Sequence, residues 1–394
     1  MDSNTEKIVV LDGARTPIGR FQGAFKDVPA HELGAKVVVE ALRRSGIDPG
    51  QVDEVIMGQV GGVGPDAFNA RRVALAAGLA KSTPAFNVNR LCGSGLQAIW
   101  SAAQEMRWGA ADVIVAGGNE SMTRMPFYDY SDRSRRRLGD VTLQDGTLMM
   151  LTDPWSHVHM GITAENVAKK YDVSRQVQDE FALRSQQRAA SGAAKAAFAE
   201  EIMPVEIGGR KPRTVDSDEH PRPDTTMETL ASLPTAFADG GSVTAGNASG
   251  INDGAAAVVM VRESYAQQHG LTPLVSLEAV ATAAMEPELM GYTPVLALNA
   301  LFERTGLSPG DIAISEVNEA FASQAVAVIR DAKLDPATTN PYGGAIALGH
   351  PVGATGANLT LRVAKHLARV GGEYGIVTMC IGGGQALAAL FRRV

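Results

Sequence analysis

Asn89-Arg90-Leu91-Cys92-Gly93-Ser94-Gly95 runs into Leu96, Ile99, Trp100 and Ala103, which recur at helical spacing, and then into Val113-Ile114-Val115-Ala116, closed by Gly117-Gly118. A glycine-rich turn, an amphipathic stretch and a short apolar run predict loop, helix and buried strand in succession. The same grammar holds upstream. A strand at 8–11 is followed by the turn Gly13-Ala14-Arg15-Thr16-Pro17, and a helix from about residue 30 carries Leu33, Val37, Val38, Ala41 and Leu42 on one face and ends at Gly46. Val55-Ile56-Met57 gives another short strand. Strands alternating with helices predict an α/β fold around a largely parallel sheet.

Downstream the texture changes and then returns. Between 120 and 246 the sequence predicts loops, helices at 164–171 and 176–198, and a Pro- and Asp-rich stretch at 204–224, which together read as an insertion. Strand character resumes at 255–261 and 275–277, with helices at 295–305, 319–332 and 355–370 and further strands at 312–316, 375–379 and 385–391. Two α/β halves flanking an insertion suggest a repeated architecture. The predicted division is residues 1–119 with 250–272, then 120–249, then 273–394.

Composition narrows the function. Across 394 residues, 45% are hydrophobic and 20% charged, which is globular. With 36 Lys+Arg against 43 Asp+Glu, the net charge of −7 argues against a nucleic-acid or membrane surface. The one basic run, Arg133 with Arg135, Arg136 and Arg137, reads as a solvated or intersubunit loop. Two cysteines cannot staple a chain of this length, and the N-terminal residues show no secretory or transit signal. A cytoplasmic location is expected.

Four segments carry the candidate polar groups, three of them among glycines. Cys92 stands at the entry to a helix, where N–H groups and the dipole favour a thiolate. His350 sits in Gly349-His350-Pro351-Val352-Gly353, a rigid loop ahead of a helix. Asn318, in Val317-Asn318-Glu319-Ala320-Phe321, is either a site residue or a helix cap. Cys380 ends a strand and faces Gly382-Gly383-Gly384, whose N–H groups could hold an anion. His157 and His159 lack a third ligand at a recognisable spacing, so no metal is expected.

Together these segments resemble the signature blocks of the thiolases, acyl-CoA C-acetyltransferases. The blocks are Cys92-Gly93-Ser94-Gly95, Asn318-Glu319-Ala320-Phe321, the run from Gly343 to Pro351, and Cys380-Ile381-Gly382-Gly383-Gly384. The resemblance extends to Gly117–Met122, His159-Met160-Gly161 and Thr244–Gly250, in order along essentially the whole chain. Within the family the chain resembles the biosynthetic, tetrameric β-ketothiolases of bacteria.

The resemblance implies a layered αβαβα thiolase fold with an inserted loop domain, and a reversible Claisen condensation of acetyl-CoA with an acyl-CoA. Cys92 would carry the acyl group and His350 would take its proton. Cys380 would act as acid and base at the α-carbon and the leaving thiolate. Asn318 would hold a water beside His350, and the amides of Cys92 and Gly382 would form an oxyanion hole. Ser249, Arg222 and His159 would contact coenzyme A, which with acyl-CoA enters as a substrate; no bound cofactor is implied. A homotetramer, a dimer of dimers, is expected, in part from the resemblance of the 120–139 segment to a tetramer-forming loop. Tyr342 stands where the family usually has a small or amide residue, and Tyr292 is a large side chain near a segment that lines the acyl pocket in relatives. Either could alter acyl-length preference, so acetoacetyl-CoA is not singled out as the substrate. The alternatives are a degradative 3-ketoacyl-CoA thiolase for longer chains, a non-catalytic acyl-CoA carrier, and a thiol redox protein.

Overall fold

The computed structural model describes residues 6–130, 140–209 and 212–394; the basic run at 133–137 lies outside them. Strands β1 (Ile8–Arg15), β2 (Glu54–Gly58), β3 (Ala85–Val88), β4 (Val113–Ser121) and β5 (Asn252–Arg262) come from the first part of the chain. From the second come β6 (Val275–Ala284), β7 (Ile312–Val317), β8 (Tyr374–Ile381) and β9 (Gln385–Arg393). They form one ladder in the order β7-β8-β9-β6-β1-β5-β4-β2-β3, with the short strand Gly19–Arg20 added on β5.

The two parts repeat one pattern. In the first, β1 pairs antiparallel with β5, β5 antiparallel with β4, and β4 parallel with β2. In the second, β6 pairs antiparallel with β9, β9 antiparallel with β8, and β8 parallel with β7. Two residue pairs, Val9 with Ser276 and Val10 with Val275, join them. The duplication suggested by the order of elements is therefore present in the topology.

The expected largely parallel sheet is corrected: among the described residues only β2–β3, β2–β4 and β7–β8 pair in parallel. The physical reason lies in the connections. β5 returns to the sheet only after the long segment from 122 to 251, which can enter from either end. β9 follows β8 through a glycine turn in which Gly383 and Gly384 have φ of +78° and +76°, so the chain must reverse. Strand β4 also runs through Gly117-Gly118 to Ser121 rather than stopping there. The helix expected over 176–198 is two helices, Arg175–Ala189 and Gly192–Glu201, because Ser191 caps the second through Ala194 N–H.

Alternation along the strands sorts the core into layers. Ile8 and Val10 face a central core, whereas Val9 and Leu11 face an outer one. The outer core of the first part is covered by α1 (Ala30–Ser45), whose C-cap Gly46 at φ +72° returns its N–H to Leu42. The outer core of the second part holds α3 (Pro294–Thr305) and α4 (Ala322–Asp331). Between the two sheet halves lie α2 (Ser94–Arg107) and α5 (Thr355–Val370), which share the central core with strands of both parts. The layers are helix, sheet, paired helices, sheet, helix, as the resemblance implied.

The two central helices cross where only glycine fits. A Cβ on Gly95 would stand 2.9 Å from Ala357 N and from Gly353 O, and one on Gly356 would overlap Leu96 N. This contact sets the first turns of α2 and α5 against each other, with the Cys92 and His350 loops just ahead of them.

A buried ion network fastens the segment between β4 and β5 to both parts. Arg15 Nε meets Glu201 Oε2 at 2.7 Å, Arg15 Nη1 meets Asp218 Oδ1 at 2.8 Å, and Arg362 Nε meets Glu201 Oε1 at 3.1 Å. The guanidinium carbons of Arg15 and Arg362 lie 5.1 and 5.0 Å from the Phe198 ring centre.

Gly356→Ala should destabilise the protein by about 1–3 kcal/mol in urea denaturation, because backbone must shift to admit the methyl group. Gly192→Ala, with open space around it, should stay within about 0.5 kcal/mol of wild type. Equal stability of the two variants would contradict the tight crossing.

Candidate active site

Cys92 follows Leu91, which has φ +47° and so occupies a conformation that non-glycine residues adopt at a cost. The turn is braced locally. Asn89 Oδ1 accepts from Leu91 N–H at 3.0 Å, and Ser94 Oγ accepts from Arg90 N–H at 3.0 Å while donating to Leu91 O at 2.6 Å. The chain therefore turns sharply at Cys92 before entering α2.

The N–H groups of Gly382 and of Cys92 itself are directed at the Cys92 sulfur. A Cβ on residue 382 would come within 2.9 Å of Leu91 Cδ1 and 3.5 Å of Met160 Cε, which explains the glycine there. Burial, outweighing those two N–H groups and reinforced by the negative Glu120, pushes the Cys92 thiol up to about 11. The thiolate expected from a helix N-terminus is thus corrected: desolvation dominates over the dipole.

His350 is buried, and three groups hold it. Its backbone N–H donates to Asn252 Oδ1 at 2.9 Å, its Nδ1 lies 2.7 Å from Thr355 Oγ1, and its Nε2 lies 3.3 Å from Asn318 Nδ2. The preceding Gly349 has φ +104°, and a Cβ there would run into the Asn252 side chain. Burial pulls the imidazole down to about 4, so the ring is neutral near pH 7.

Asn318 is not a helix cap. It lies just beyond β7, its N–H donates to Thr378 O at 3.0 Å, and α4 begins four residues later at Ala322. Its Oδ1 is buried with no hydrogen-bond partner among the described residues. Such an atom is a ready acceptor for a water.

Cys380 is fully buried at the end of β8, paired in register with Ala386. It packs with Met160, Met290, Phe321 and Phe237. This apolar cage raises the Cys380 thiol well above the ordinary range, and the proximity of Cys92 raises it further.

One cavity of about 380 Å³ collects Cys92, His350 and Gly382 together with His159, Arg222 and Ser249. Its remaining wall is largely apolar, with Met122, Met150, Met160 and Met290 prominent. His159 stacks on Phe237 with ring centres 4.7 Å apart, and its Nδ1 accepts from Gly161 N–H at 3.0 Å. Ser249 N–H donates to Ala320 O at 3.0 Å, and Arg222 N–H to Gln186 Oε1 at 2.8 Å. No group of three or more His, Cys, Asp or Glu able to hold a metal occurs among the described residues.

Neither unusual tyrosine reaches this cavity. Tyr342 packs among Ala189, Ala197 and Phe198 and bonds His366 Nδ1 and Arg369 through its hydroxyl. Tyr292 stacks on Tyr171 at 3.7 Å and donates to Asp331. Both serve packing between elements, and neither lines the cavity through which it could alter acyl length.

Sequence reasoning missed three supporting residues. Asn252 arrives from β5, almost a hundred residues from His350, and no local pattern announces it. Glu120 accepts from the N–H groups of Val60, Gly61 and Gly353 and so ties the His350 loop to β4; burial pushes its carboxyl up to about 7. Thr355 opens the helix expected over 355–370, and nothing in the sequence marked it as a partner of His350.

The geometry defines a thiol-centred acyl-transfer site, in which a cysteine, a neutral histidine and paired amides share one cavity. Family comparison agrees. Residues 8–264 match the thiolase N-terminal domain and residues 271–393 the thiolase C-terminal domain. The chain belongs to the thiolase family. It is 48% identical over 393 residues to a protein of Cupriavidus necator named beta-ketothiolase BktB, covering 99% of this chain and 100% of that one. An acetyl-CoA acetyltransferase of Allochromatium vinosum is 43% identical over 392 residues, covering 99% and 100%. Among solved structures, the Bacillus anthracis acetyl-CoA acetyltransferase superposes with a TM-score of 0.97 at 40% identity, covering 99% of each chain. Human mitochondrial 3-ketoacyl-CoA thiolase in complex with CoA superposes with a TM-score of 0.95 at 40% identity, covering 99% and 98%.

Because the Cys92 thiol is held neutral, its alkylation by an uncharged haloacetamide should quicken about tenfold per pH unit between about pH 7 and 9. Peptide mass spectrometry at Cys92 reads the rate. A plateau beginning near neutrality would show a stabilised thiolate instead.

Proposed function

We propose that the protein is an acyl-CoA C-acyltransferase that condenses acetyl-CoA with an acyl-CoA to a 3-ketoacyl-CoA and free CoA, and catalyses the reverse thiolysis. The observation that carries this reading is the convergence of the Cys92 and Gly382 amides on the Cys92 sulfur, within a cavity shared with His350. The names of the similar proteins, acetyl-CoA acetyltransferase and beta-ketothiolase, support it.

In this reading Cys92 attacks the thioester carbonyl and its proton passes to His350 Nε2. The oxyanion accepts from the amides of Cys92 and Gly382, and collapse leaves an acyl-Cys92 and a CoA thiolate. Losing one such donor typically costs about 3 kcal/mol of barrier. Cys380 protonates the leaving thiolate, then removes a proton from the α-carbon of the second acyl-CoA. The enolate oxygen is received by His350 and a water on Asn318. A positioned acid or base contributes about a hundred- to ten-thousandfold.

Coenzyme A and its thioesters are substrates here, contacted by Ser249, Arg222 and His159. All three belong to the 120–249 segment, which we assign to CoA binding and assembly; 1–119 with 250–272 and 273–394 form the two α/β halves. The methionine-rich wall, adaptable in shape, favours acceptance of more than one short acyl chain. A degradative role on longer 3-ketoacyl-CoA substrates remains the second reading, supported by the likeness to 3-ketoacyl-CoA thiolase.

A homotetramer, a dimer of dimers, is favoured by the surface. Strand β3 is a free sheet edge with Phe86 exposed, and Phe68 (68%), Phe127 (63%) and Tyr130 (64%) are large apolar side chains in solvent. Two unpaired thiols suit a cytoplasmic setting. Among the described residues no helix is long and apolar enough to cross a membrane.

Cys92→Ala should abolish both acyl-enzyme formation and thiolysis across a series of 3-ketoacyl-CoA chain lengths. Cys380→Ala should lose turnover by a thousandfold or more on the order expected for a catalytic acid–base group, yet still form the acyl-Cys92 adduct seen by intact-protein mass spectrometry. Binding of acetoacetyl-CoA by wild type with no CoA-dependent loss of its enolate absorbance would favour a carrier.

A further inference from the structure

The histidine of this site is anchored through Nδ1 to a hydroxyl, where a base histidine is commonly oriented by a carboxylate. Thr355 Oγ1 lies 2.7 Å from His350 Nδ1 and 3.0 Å from Pro351 O, and Thr355 is buried at the first position of α5. On the opposite side of the ring, Asn318 Nδ2 lies 3.3 Å from Nε2.

With Asn318 Nδ2 facing the ring, as the structure places it, these contacts share one direction. The Asn318 amide is a donor, so Nε2 must accept. The one ring proton of a neutral imidazole then sits on Nδ1 and is donated to Thr355 Oγ1. The Thr355 hydroxyl, its acceptor role used, donates its own proton to Pro351 O. The opposite tautomer would set an Nε2–H donor against the Asn318 donor.

We propose that Thr355 is a positioning residue that fixes the Nδ1–H tautomer of His350, leaving the Nε2 lone pair to take the Cys92 proton. This rests on the reading of His350 as the base for Cys92. An uncharged partner also explains why the ring is not pulled into an imidazolium at rest: no negative group bonds Nδ1 to stabilise a second proton. The location follows from the fold, since α5 is pinned against α2 at Gly356, the residue after Thr355. The helix crossing therefore fixes the hydroxyl, and the hydroxyl fixes the ring.

The test compares wild type with T355V and T355S. Nitrogen-15 NMR of histidine-labelled protein should show His350 protonated at Nδ1 in wild type and T355S, and a mixed or inverted tautomer in T355V. With acetoacetyl-CoA and CoA, T355V should lose about tenfold to hundredfold in kcat with KM changed by less than about threefold, a fraction of what a positioned base is worth. T355S, keeping the hydroxyl, should recover most of the rate. A wild-type His350 carrying its proton on Nε2 overturns the proposal even if T355V does not fold. So does a folded T355V with wild-type kcat, or a T355S as impaired as T355V, which would trace the loss to packing. Active wild type with any of these results leaves the site reading standing; wild type that neither acylates Cys92 nor thiolyses substrate brings down both.

Discussion

α2 and α5 cross backbone to backbone through Gly95 and Gly356, and the rest of the site depends on that contact. Each helix belongs to one of the two repeated α/β parts, and each is preceded by a loop carrying one reactive side chain. Because the backbones touch, Cys92 and His350 are delivered to a common cavity from opposite parts of the chain. Gly118 extends the constraint: a Cβ there would overlap Gly353 O, so the sheet and the His350 loop also meet without intervening side chains. Close packing of this kind has little freedom to relax, which is how a fold holds reacting groups to a fixed geometry.

Burial then decides the chemistry of those groups. Both thiols are raised and the histidine is lowered, so the resting site holds neutral partners. A resting ion pair would have to be desolvated in an apolar cavity. In the proposed mechanism a neutral pair postpones charge separation until a carbonyl oxygen is present to receive the two amides at Cys92. The buried carboxylates follow a similar economy. Glu120 spends its oxygens on three backbone N–H groups, and Glu319 bonds Ser185, Asn340 and Ile346 N–H, so each fastens a loop of the site rather than facing the cavity.

Much of this was legible in the sequence, for identifiable reasons. The helical spacing of Leu33, Val37, Val38 and Leu42, with Gly46 behind them, marked α1 and its end. The three glycine-bounded segments, around Cys92, His350 and Cys380, stood out because loops that approach a ligand need glycine. What the letters hid was long-range. Strand direction depended on how a long insertion re-enters the sheet, and Asn252 meets His350 only through tertiary register. The thiol's ionisation was misjudged because a helix N-terminus is visible in sequence, whereas the depth of the sulfur is not. Tyr342 and Tyr292 looked like pocket residues by their neighbours in sequence, yet their side chains turn toward Phe198 and Tyr171.

In the mechanism we propose, Cys92 carries the acyl group with its oxygen facing the amides of Cys92 and Gly382. A crystal structure of the protein frozen after brief exposure to acetyl-CoA tests it most directly. Density is expected for an acetyl group continuous with Cys92 Sγ, its oxygen within hydrogen-bonding distance of both amides, with the Cys380 sulfur unmodified. An acetyl group on Cys380, or an acetyl-Cys92 whose oxygen points away from both amides, would contradict it.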